Sequence, residues 1–217
     1  MAPRAWLVVR PRGVPLSLRL DRRVPGVLAV LGAATLAGMV VAVGHGEYSI
    51  APLDVARTLL GLETGNPDHA FIVTTLRLPR ALVAWMVGVA LATSGAMLQG
   101  LLRNPLASPE IVGVSAGANL AAVSLIVLWP GTSVAVLPLA AFCGALGPAL
   151  VMYLVAGTRR SAPLRLVLVG VGVTAIANAL TTTMITLGEI MQVSQALVWM
   201  AGSVYGRSWE HLWPLLP

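Results

Sequence analysis

The stretch TLRLPRALVAWMVGVALATSGAMLQGLLRNPLASPEIVGVSAGANL, residues 75–120, decides the fold of this chain. Two arginines, Arg77 and Arg80, precede 22 consecutive residues, 81–102, that carry no charged side chain. About 20 apolar residues are enough for a helix to cross the hydrocarbon core of a bilayer. The sequence therefore predicts a transmembrane helix at 81–102. The prolines that follow end this helix, and a new apolar segment starts at Ile111.

Small side chains recur along one face of this predicted helix. They stand four residues apart, at Gly88, Ala92, Ala96 and Gly100. Residues at this spacing lie on one side of an α-helix, and small residues there let a second helix approach closely inside a membrane. We therefore expect this helix to pack against protein rather than to be surrounded by lipid.

The composition is that of an integral membrane protein. Of the 217 residues, 57% are hydrophobic and 10% are charged, which is too apolar for a soluble globular domain. All 14 basic residues are arginine, and a P-loop ATPase is excluded because its motif requires a lysine. The net charge of +6 does not indicate nucleic-acid binding, since the arginines lie between apolar runs instead of on one soluble surface.

Three stretches of the sequence together resemble a known family of transporters. They are RLPR (77–80), SGAMLQGLLRNPLASPEIVGVSAGA (94–118) and LRLVLVGVGVTA (164–175). The chain resembles the permease subunits of FecCD/BtuC-type ABC importers, which take up ferric siderophores, haem or cobalamin. The resemblance implies an all-α fold, a polytopic bundle of transmembrane helices with five full spans and the start of a sixth.

The resemblance also implies a function and a set of partners. The chain would be the permease of a binding-protein-dependent importer for an iron(III)-siderophore, with cobalamin or haem as the alternative substrates. Substrate would arrive on an external substrate-binding protein, and a separate cytoplasmic ABC ATPase would drive transport. A second permease subunit, identical or related, is implied because the family's path lies between two subunits. The resemblance implies no enzymatic activity and no cofactor.

The resemblance covers only the amino-terminal part of the family's length. The helices with which family members bind their ATPase would lie beyond residue 217. An inert, truncated permease fragment is therefore an alternative to a working permease, and co-purification with an ATPase subunit would separate the two.

The distribution of arginine predicts the orientation of the chain. Residues 1–23 hold six arginines and one acid, and basic residues are enriched on the cytoplasmic side of membrane proteins. Alternating crossings from a cytoplasmic tail place ten arginines and two acids on the inner side, and four arginines and six acids on the outer side. We therefore expect a multi-pass protein of the cell (inner) membrane with a cytoplasmic amino terminus.

The predicted segments follow from the charge-free runs and the breaks between them. Residues 111–158 hold no charge, are long enough for two crossings, and are divided by a turn at 129–132. The segments in order are a cytoplasmic tail (1–23), helix 1 (24–44), an external loop with a short surface helix (45–80), helix 2 (81–102), a cytoplasmic turn (103–110), helix 3 (111–128), helix 4 (134–156), a second cytoplasmic turn (157–165), helix 5 (166–188), an external helix and turn (189–211) and the start of a sixth crossing (212–217).

Arg77 and Arg80 at the outer end of helix 2 allow two interpretations. They can be interfacial arginines whose guanidinium groups reach the lipid headgroups. An outward arginine pair nevertheless runs against the inside bias, and arginine is suited to bidentate pairing with carboxylates. In the resembling permeases, the arginines of this motif receive acidic residues of the binding protein. The resemblance therefore implies that Arg77 and Arg80 are docking residues.

Helix 5 carries weakly polar residues at spacings of three and four. They are Gly170, Thr174, Asn178, Thr181 and Thr182. One interpretation is that they form hydrogen bonds between helices. The other, which the resemblance implies for this helix, is that they line the translocation path. A polar but uncharged wall suits a bulky chelate that must pass without being held.

Two other classes of membrane protein are disfavoured. A secondary transporter normally carries an acid or histidine within a span to couple ion movement, and none of the predicted spans contains one. A membrane-embedded enzyme would need a similar buried ionisable group. A metal site is not expected, because His45, His69 and His211 have no ligand spacing between them.

Overall fold

The computed structural model describes residues 6–9, 18–156 and 163–215. They fall into two compact units, one within Met1–Ala84 and Gly206–Pro217, the other formed by Trp85–Tyr205. The helices are α1 (Arg23–Gly44), α2 (Pro52–Leu59), α3 (Asp68–Phe71), a π-helical segment (Ile72–Arg77), α4 (Leu78–Leu102), α5 (Val114–Leu128), α6 (Leu137–Ala156), α7 (Pro163–Leu187) and α8 (Ile190–Ala201).

The expected helical fold is confirmed, and the described residues make a membrane protein. Four helices are long and apolar enough to cross a bilayer: Arg23–Gly44, Asp68–Leu102, Leu137–Val155 and Arg165–Leu187. The predicted third crossing, α5, has 15 residues and is about 22 Å long, shorter than the roughly 30 Å hydrocarbon core. The count of five full spans therefore stays a prediction.

The amino-terminal segment contains a feature that the sequence did not predict. Strand β1 (Trp6–Val9) pairs with strand β2 (Leu18–Asp21) in an antiparallel register that sets Trp6 opposite Asp21. Asp21 lies just before α1. Its carboxylate accepts a hydrogen bond of 3.0 Å from the backbone N–H of Arg23, the first residue of that helix. The predicted tail also includes residues 1–5 and 10–17, which lie outside the described residues.

In the first unit, a small apolar core lies at the carboxyl end of α1. Val43, Ile50, Val55 and Val73 are at most 4% exposed and form one cluster. They come from α1, the following turn, α2 and the π-helical segment. The short helix α2 matches the predicted surface helix. Its apolar side chain at Val55 faces this cluster, whereas Leu53 and Leu59 are exposed.

The second long helix begins earlier than expected. The sequence predicted an external loop up to residue 80, but the chain is helical from Asp68 and continues without interruption to Leu102. The expectation rested on the charge-free run, which begins at residue 81. Pro79 lies inside this continuous helix, where its missing N–H leaves a carbonyl of the preceding turn without a helical donor. The preceding segment takes the wider π register, in which the N–H of Leu78 bonds to the carbonyl of Val73.

In the second unit, α5 packs closely on α6 through glycine. A Cβ built on Gly117 would lie 2.5 Å from the carbonyl oxygen of Gly144 and 2.6 Å from Cγ of Pro148. The two backbones can approach this closely only because Gly117 and Gly144 both lack a side chain. A buried cluster lies alongside, made of Ala122, Val123, Ile126, Leu137 and Ala196.

The turn between α4 and α5 differs in detail from the prediction. A 3-10 turn covers Pro109–Val112, and Gly113, at φ +82°, ends it before α5 begins at Val114. This left-handed conformation favours glycine, so helix 3 starts later than residue 111. The turn contacts α7, where a Cβ on Gly170 would be only 3.0 Å from Cα of Val112.

The remaining segments follow the predicted order with shifted boundaries. The predicted helix at 134–156 is a 3-10 turn (Val134–Val136) followed by α6. The predicted helix at 166–188 begins at Pro163 and ends at Leu187. The turn predicted at 157–165 falls partly outside the described residues, at 157–162. The last elements are α8 and the 3-10 turns Trp209–His211 and Trp213–Leu215, with 216–217 outside the described residues.

Candidate functional site

Arg77 ends the π-helical segment, and its guanidinium group is bonded to the backbone of the first unit. Nη1 donates to the carbonyl oxygens of Val43 at 2.8 Å and of Gly44 at 3.1 Å. Nη2 donates to the carbonyl oxygen of Tyr48 at 2.5 Å. Arg77 is therefore half-buried and held by three acceptors of the same chain, which the sequence did not foresee.

Arg80 lies three residues further on, in the first turn of α4, and is exposed. The structure thus brings both arginines of the RLPR motif into one unit, as the spacing requires, but gives them different surroundings. Arg77 points its charge at backbone carbonyls, whereas Arg80 is on the surface. The expectation that both arginines are equivalent docking residues assumed that both are exposed.

The carbonyl of Thr74, three residues before the motif, makes a contact that the sequence did not predict. In the π register the carbonyl of Thr74 would accept from residue 79, but Pro79 has no N–H. The indole Nε1 of Trp209 donates to that carbonyl at 3.0 Å instead. The sequence shows only that Pro79 follows Thr74 by five residues. It does not show that Trp209 donates to the Thr74 carbonyl.

The long connection before α4 is held by a polar network around His69. The His69 ring is 9% exposed, and its Nδ1 lies 3.1 Å from Oγ1 of Thr64. Asn66 donates from Nδ2 to the hydroxyl of Tyr48 at 2.9 Å, and the Tyr48 and His69 rings meet edge to face at 5.8 Å. His69 therefore has a structural role, and the described residues contain no group of three His, Cys, Asp or Glu side chains placed to bind a metal.

The polar residues of α7 lie on two faces of the helix. Gly170 and Thr181 are buried, Thr181 at 3% exposure, while Asn178 and Thr182 are exposed and Thr174 lies between. The sequence treated these five residues as one stripe. Spacings of three and four turn slowly around a helix, so five such positions spread over too wide an arc to share one surface.

The threonine hydroxyls of α7 bond within their own helix. Thr174 donates to the carbonyl of Gly170 at 2.8 Å, Thr181 to that of Ala177 at 2.9 Å and Thr182 to that of Asn178 at 2.9 Å. The hydroxyl protons are thus used locally, and the oxygens remain as acceptors. Asn178 and Thr182 are exposed and uncharged, and the apolar side chain of Val171, at 52% exposure, lies on the same side of the helix.

A separate recess of about 470 Å³ lies among α5, α6 and α7 and has a different character. Its lining is almost wholly apolar and includes Gly117, Gly144, Pro148, Ala177 and Leu180. It lies next to the buried face of α7, away from Asn178 and Thr182. Because it continues the glycine contact between α5 and α6, we assign it to helix packing and not to a polar path.

The stripe of small residues on α4 is open. Gly88, Ala92, Ala96 and Gly100 are all exposed, and a Cβ on Gly88 or Gly100 would meet no atom within 4 Å. The packing role expected for this face therefore stays a prediction for the described chain. The described α4 residues present a smooth face that another helix could contact.

The chain is similar to a known transport family and to several of its members. The profile of the FecCD transport family matches residues 34–217. The probable siderophore transport system permease protein YfhA of Bacillus subtilis is 41% identical over 192 residues, which cover 86% of this chain and 55% of that protein. The achromobactin transport system permease protein CbrC of Dickeya dadantii is 45% identical over 177 residues, or 81% and 50% of the two chains.

Two further similarities bear on substrate and fold. The cobalamin import system permease protein BtuC of Halobacterium salinarum is 40% identical over 158 residues, covering 72% of this chain and 42% of that protein. A solved ABC transporter of metal-chelate type, in an inward-facing conformation, superposes with a TM-score of 0.73 at 27% identity, covering 88% of this chain and 59% of the other. The chain spans about half the length of these relatives.

Proposed function

Because this chain belongs to the FecCD transport family, we propose that it forms the membrane-spanning permease part of an ABC importer for an iron(III)-siderophore. The observation that carries the proposal is the family match over residues 34–217, which includes the arginine motif and helix α7. In this proposal the chain does no covalent chemistry. It provides a passage through the membrane, and a separate cytoplasmic ATPase supplies the energy.

The choice of an iron chelate is supported by what the similar proteins are named for. The relatives at 41% and 45% identity are a siderophore and an achromobactin transport permease, and the Fe(3+) dicitrate permease FecD of Escherichia coli is 37% identical over 79% of this chain. The cobalamin permease matches at 40% over a smaller share, 72%. Cobalamin and haem therefore remain the alternative substrates.

The substrate can be tested by uptake in cells that lack the encoding gene. We expect deletion to abolish energy-dependent accumulation of at least one radioactive ferric siderophore, and the restored gene to return it. Parallel cultures receive labelled cobalamin and haem. A loss confined to cobalamin or haem would move the substrate to that alternative, and unchanged uptake of all three classes would reject the import function.

The translocation path is proposed to include the exposed face of α7. Asn178 and Thr182 place polar, uncharged groups on this face beside the exposed Val171, and Thr174 lies at its edge. Gly170 and Thr181, which were expected on the same path, are buried and serve packing in this proposal. A large chelate would meet hydroxyl oxygens and an amide, which can hydrogen-bond to it without the strong attraction of a fixed charge.

Docking of the substrate-binding protein is proposed at the RLPR motif. Arg80 supports this role because it is exposed in the first turn of α4. Arginine is the residue best suited to receive a carboxylate in a bidentate pair. The positive-inside distribution of arginine supports a cytoplasmic amino terminus and thus an external position for this motif.

The remaining partners follow from the importer class. We propose a cytoplasmic ABC ATPase and a second permease subunit that completes the path opposite α7. A secondary transporter is less well supported, because the charge-free spans hold no acid or histidine that could couple ion movement. An inert fragment is the other alternative, and it predicts that the chain associates with no ATPase.

A further inference from the structure

The carboxyl end of α1 leaves backbone acceptors that its own helix cannot satisfy. The last carbonyls of any α-helix have no donor within the helix. Here the N–H of His45 bonds to the carbonyl of Val41 at 2.9 Å, and the N–H of Ile50 bonds to that of Gly44 at 3.0 Å. The carbonyl of Gly44 thus has one donor already, whereas the carbonyl of the buried Val43 needs a partner from elsewhere in the protein.

That partner is the guanidinium group of Arg77. It reaches Val43 and Gly44 with Nη1 and Tyr48 with Nη2, so it bonds to the helix end and to the turn that follows it. A positive charge is also favoured at a helix carboxyl end by the helix dipole. Lysine has one compact ammonium group and cannot reproduce this planar, three-acceptor arrangement.

Gly46 leaves room for this contact, and Gly44 leaves room for the turn that follows α1. A Cβ on Gly46 would lie 2.6 Å from Nη2 of Arg77 and 3.0 Å from its Cζ. A Cβ on Gly44 would lie 2.9 Å from the carbonyl oxygen of Ile50. Neither glycine has a positive φ, so space and not backbone conformation explains why a side chain is missing. Gly46 therefore provides the space that the guanidinium group occupies.

We infer that Arg77 is an anchoring residue that fixes the outer end of α1 and the turn 45–50 to the helix carrying Arg80. The two arginines then have different roles. In the docking proposal Arg80 meets the partner, and Arg77 holds in place the segment that carries Arg80. The consequence for docking rests on the proposed function, whereas the anchoring itself depends only on contacts within this chain.

Hydrogen exchange of the solubilised chain, without any partner, tests the anchoring. Arg77→Leu and Arg77→Lys are each expected to raise exchange in peptides covering residues 43–50 roughly tenfold, because the helix end loses its external donor. The control Arg103→Leu, directly after the other end of α4, is expected to leave those peptides unchanged. Unchanged exchange in Arg77→Lys, which keeps the charge, would overturn the inference even if Arg77→Leu fails to accumulate.

A double-mutant cycle tests the fit between Gly46 and Arg77. Gly46→Ala alone is expected to raise exchange in 43–50, because the new Cβ displaces the guanidinium group. In the Arg77→Leu background the same substitution is expected to have little further effect. Full additivity of the two effects would contradict the inference.

The salt dependence of docking separates the inference from the proposed function. Removing a docking charge with Arg80→Gln is expected to weaken binding of the binding protein and to flatten its dependence on ionic strength. Arg77→Lys is expected to weaken binding while the salt dependence stays as in the wild type. If neither variant alters docking, the docking proposal fails while the exchange results still decide the anchoring. If Arg77→Lys docks as well as the wild type despite raised exchange, Arg77 does not position Arg80.

Discussion

At the scale of single residues, the structure depends on a few closely packed glycines, and the sequence alone does not show which glycines these are. Gly117 and Gly147 both lie in apolar helices, yet a Cβ on Gly117 overlaps Gly144 and Pro148, whereas a Cβ on Gly147 meets no atom within 4 Å. The difference comes from the crossing of α5 and α6. It cannot be read from composition, because both glycines have similar apolar neighbours along the chain.

Gly117→Ala is expected to destabilise the protein, and Gly147→Ala is its matched control. Overlap at a close-packed helix crossing costs about 1–3 kcal/mol, while an alanine in an open helical position gains up to about 1 kcal/mol over glycine. The free energy of unfolding, measured by detergent titration in mixed micelles, should therefore fall for Gly117→Ala and stay level or rise for Gly147→Ala. Equal changes would contradict the close crossing.

Trp209 supplies a donor where Pro79 cannot. Trp209→Phe keeps the ring but removes the indole N–H, leaving the carbonyl of Thr74 without this bond. We expect a loss of about 0.5–1.5 kcal/mol in unfolding free energy. Trp213→Phe is the control, since Trp213 is 71% exposed. If both substitutions have the same effect, the contact between Trp209 and Thr74 does not contribute.

Arg80→Glu is the residue-scale test of docking. Reversing a charge that faces a carboxylate partner is expected to raise the binding-protein concentration for half-maximal uptake roughly tenfold or more. Arg57→Glu changes the net charge equally in an exposed helix of the same unit and should have a smaller effect. Arg57 pairs with Asp54 at 3.5 Å. Indistinguishable effects would show that general charge, and not the motif, governs docking.

At the scale of elements, hydropathy predicts the long helices well and their ends poorly. α1, α4, α6 and α7 were all expected, because runs of about 20 uncharged residues are hard to place except in a membrane. The helical segment 68–77 was missed because helix 2 was placed on the charge-free run alone, which begins at residue 81. The π register removes the conflict between proline and the preceding turn, and no periodicity in the sequence signals it.

The same limit applies to the faces of α7. The expected polar stripe grouped residues by spacing, but only packing against α5 and the turn at 109–113 decides which face is buried. The structure separates Thr181, at 3% exposure, from the exposed Asn178 and Thr182. Sequence reasoning therefore found the helix and its polar residues, but it could not tell which of them are exposed and which are buried.

Cysteine labelling tests the division of α7. In a Cys143→Ser background within the assembled transporter, Asn178→Cys and Thr182→Cys are expected to react with a water-soluble maleimide in at least one nucleotide state. Thr181→Cys is expected to stay protected in all states. If Asn178→Cys and Thr182→Cys react only with a lipophilic reagent, that face lies in lipid and the path runs elsewhere.

At the scale of the whole molecule, membership of the FecCD transport family explains why so apolar a chain carries so few ionisable groups. A permease needs no catalytic side chain. It needs helices that pack closely, a polar surface that does not hold its cargo, and charged residues at its ends for partners. The described chain has a close helix crossing and exposed arginines, and it spans about half the length of its relatives.

The central claim is that this chain is part of a passage opened by a separate ATPase. The most direct test adds an affinity tag to the amino terminus of the chromosomal gene and purifies the protein from membranes in mild detergent. We predict that an ABC-type ATPase subunit co-purifies and that its ATP hydrolysis rises when the substrate-loaded binding protein is added. Purification of the tagged protein without any ATP-hydrolysing subunit would contradict the account.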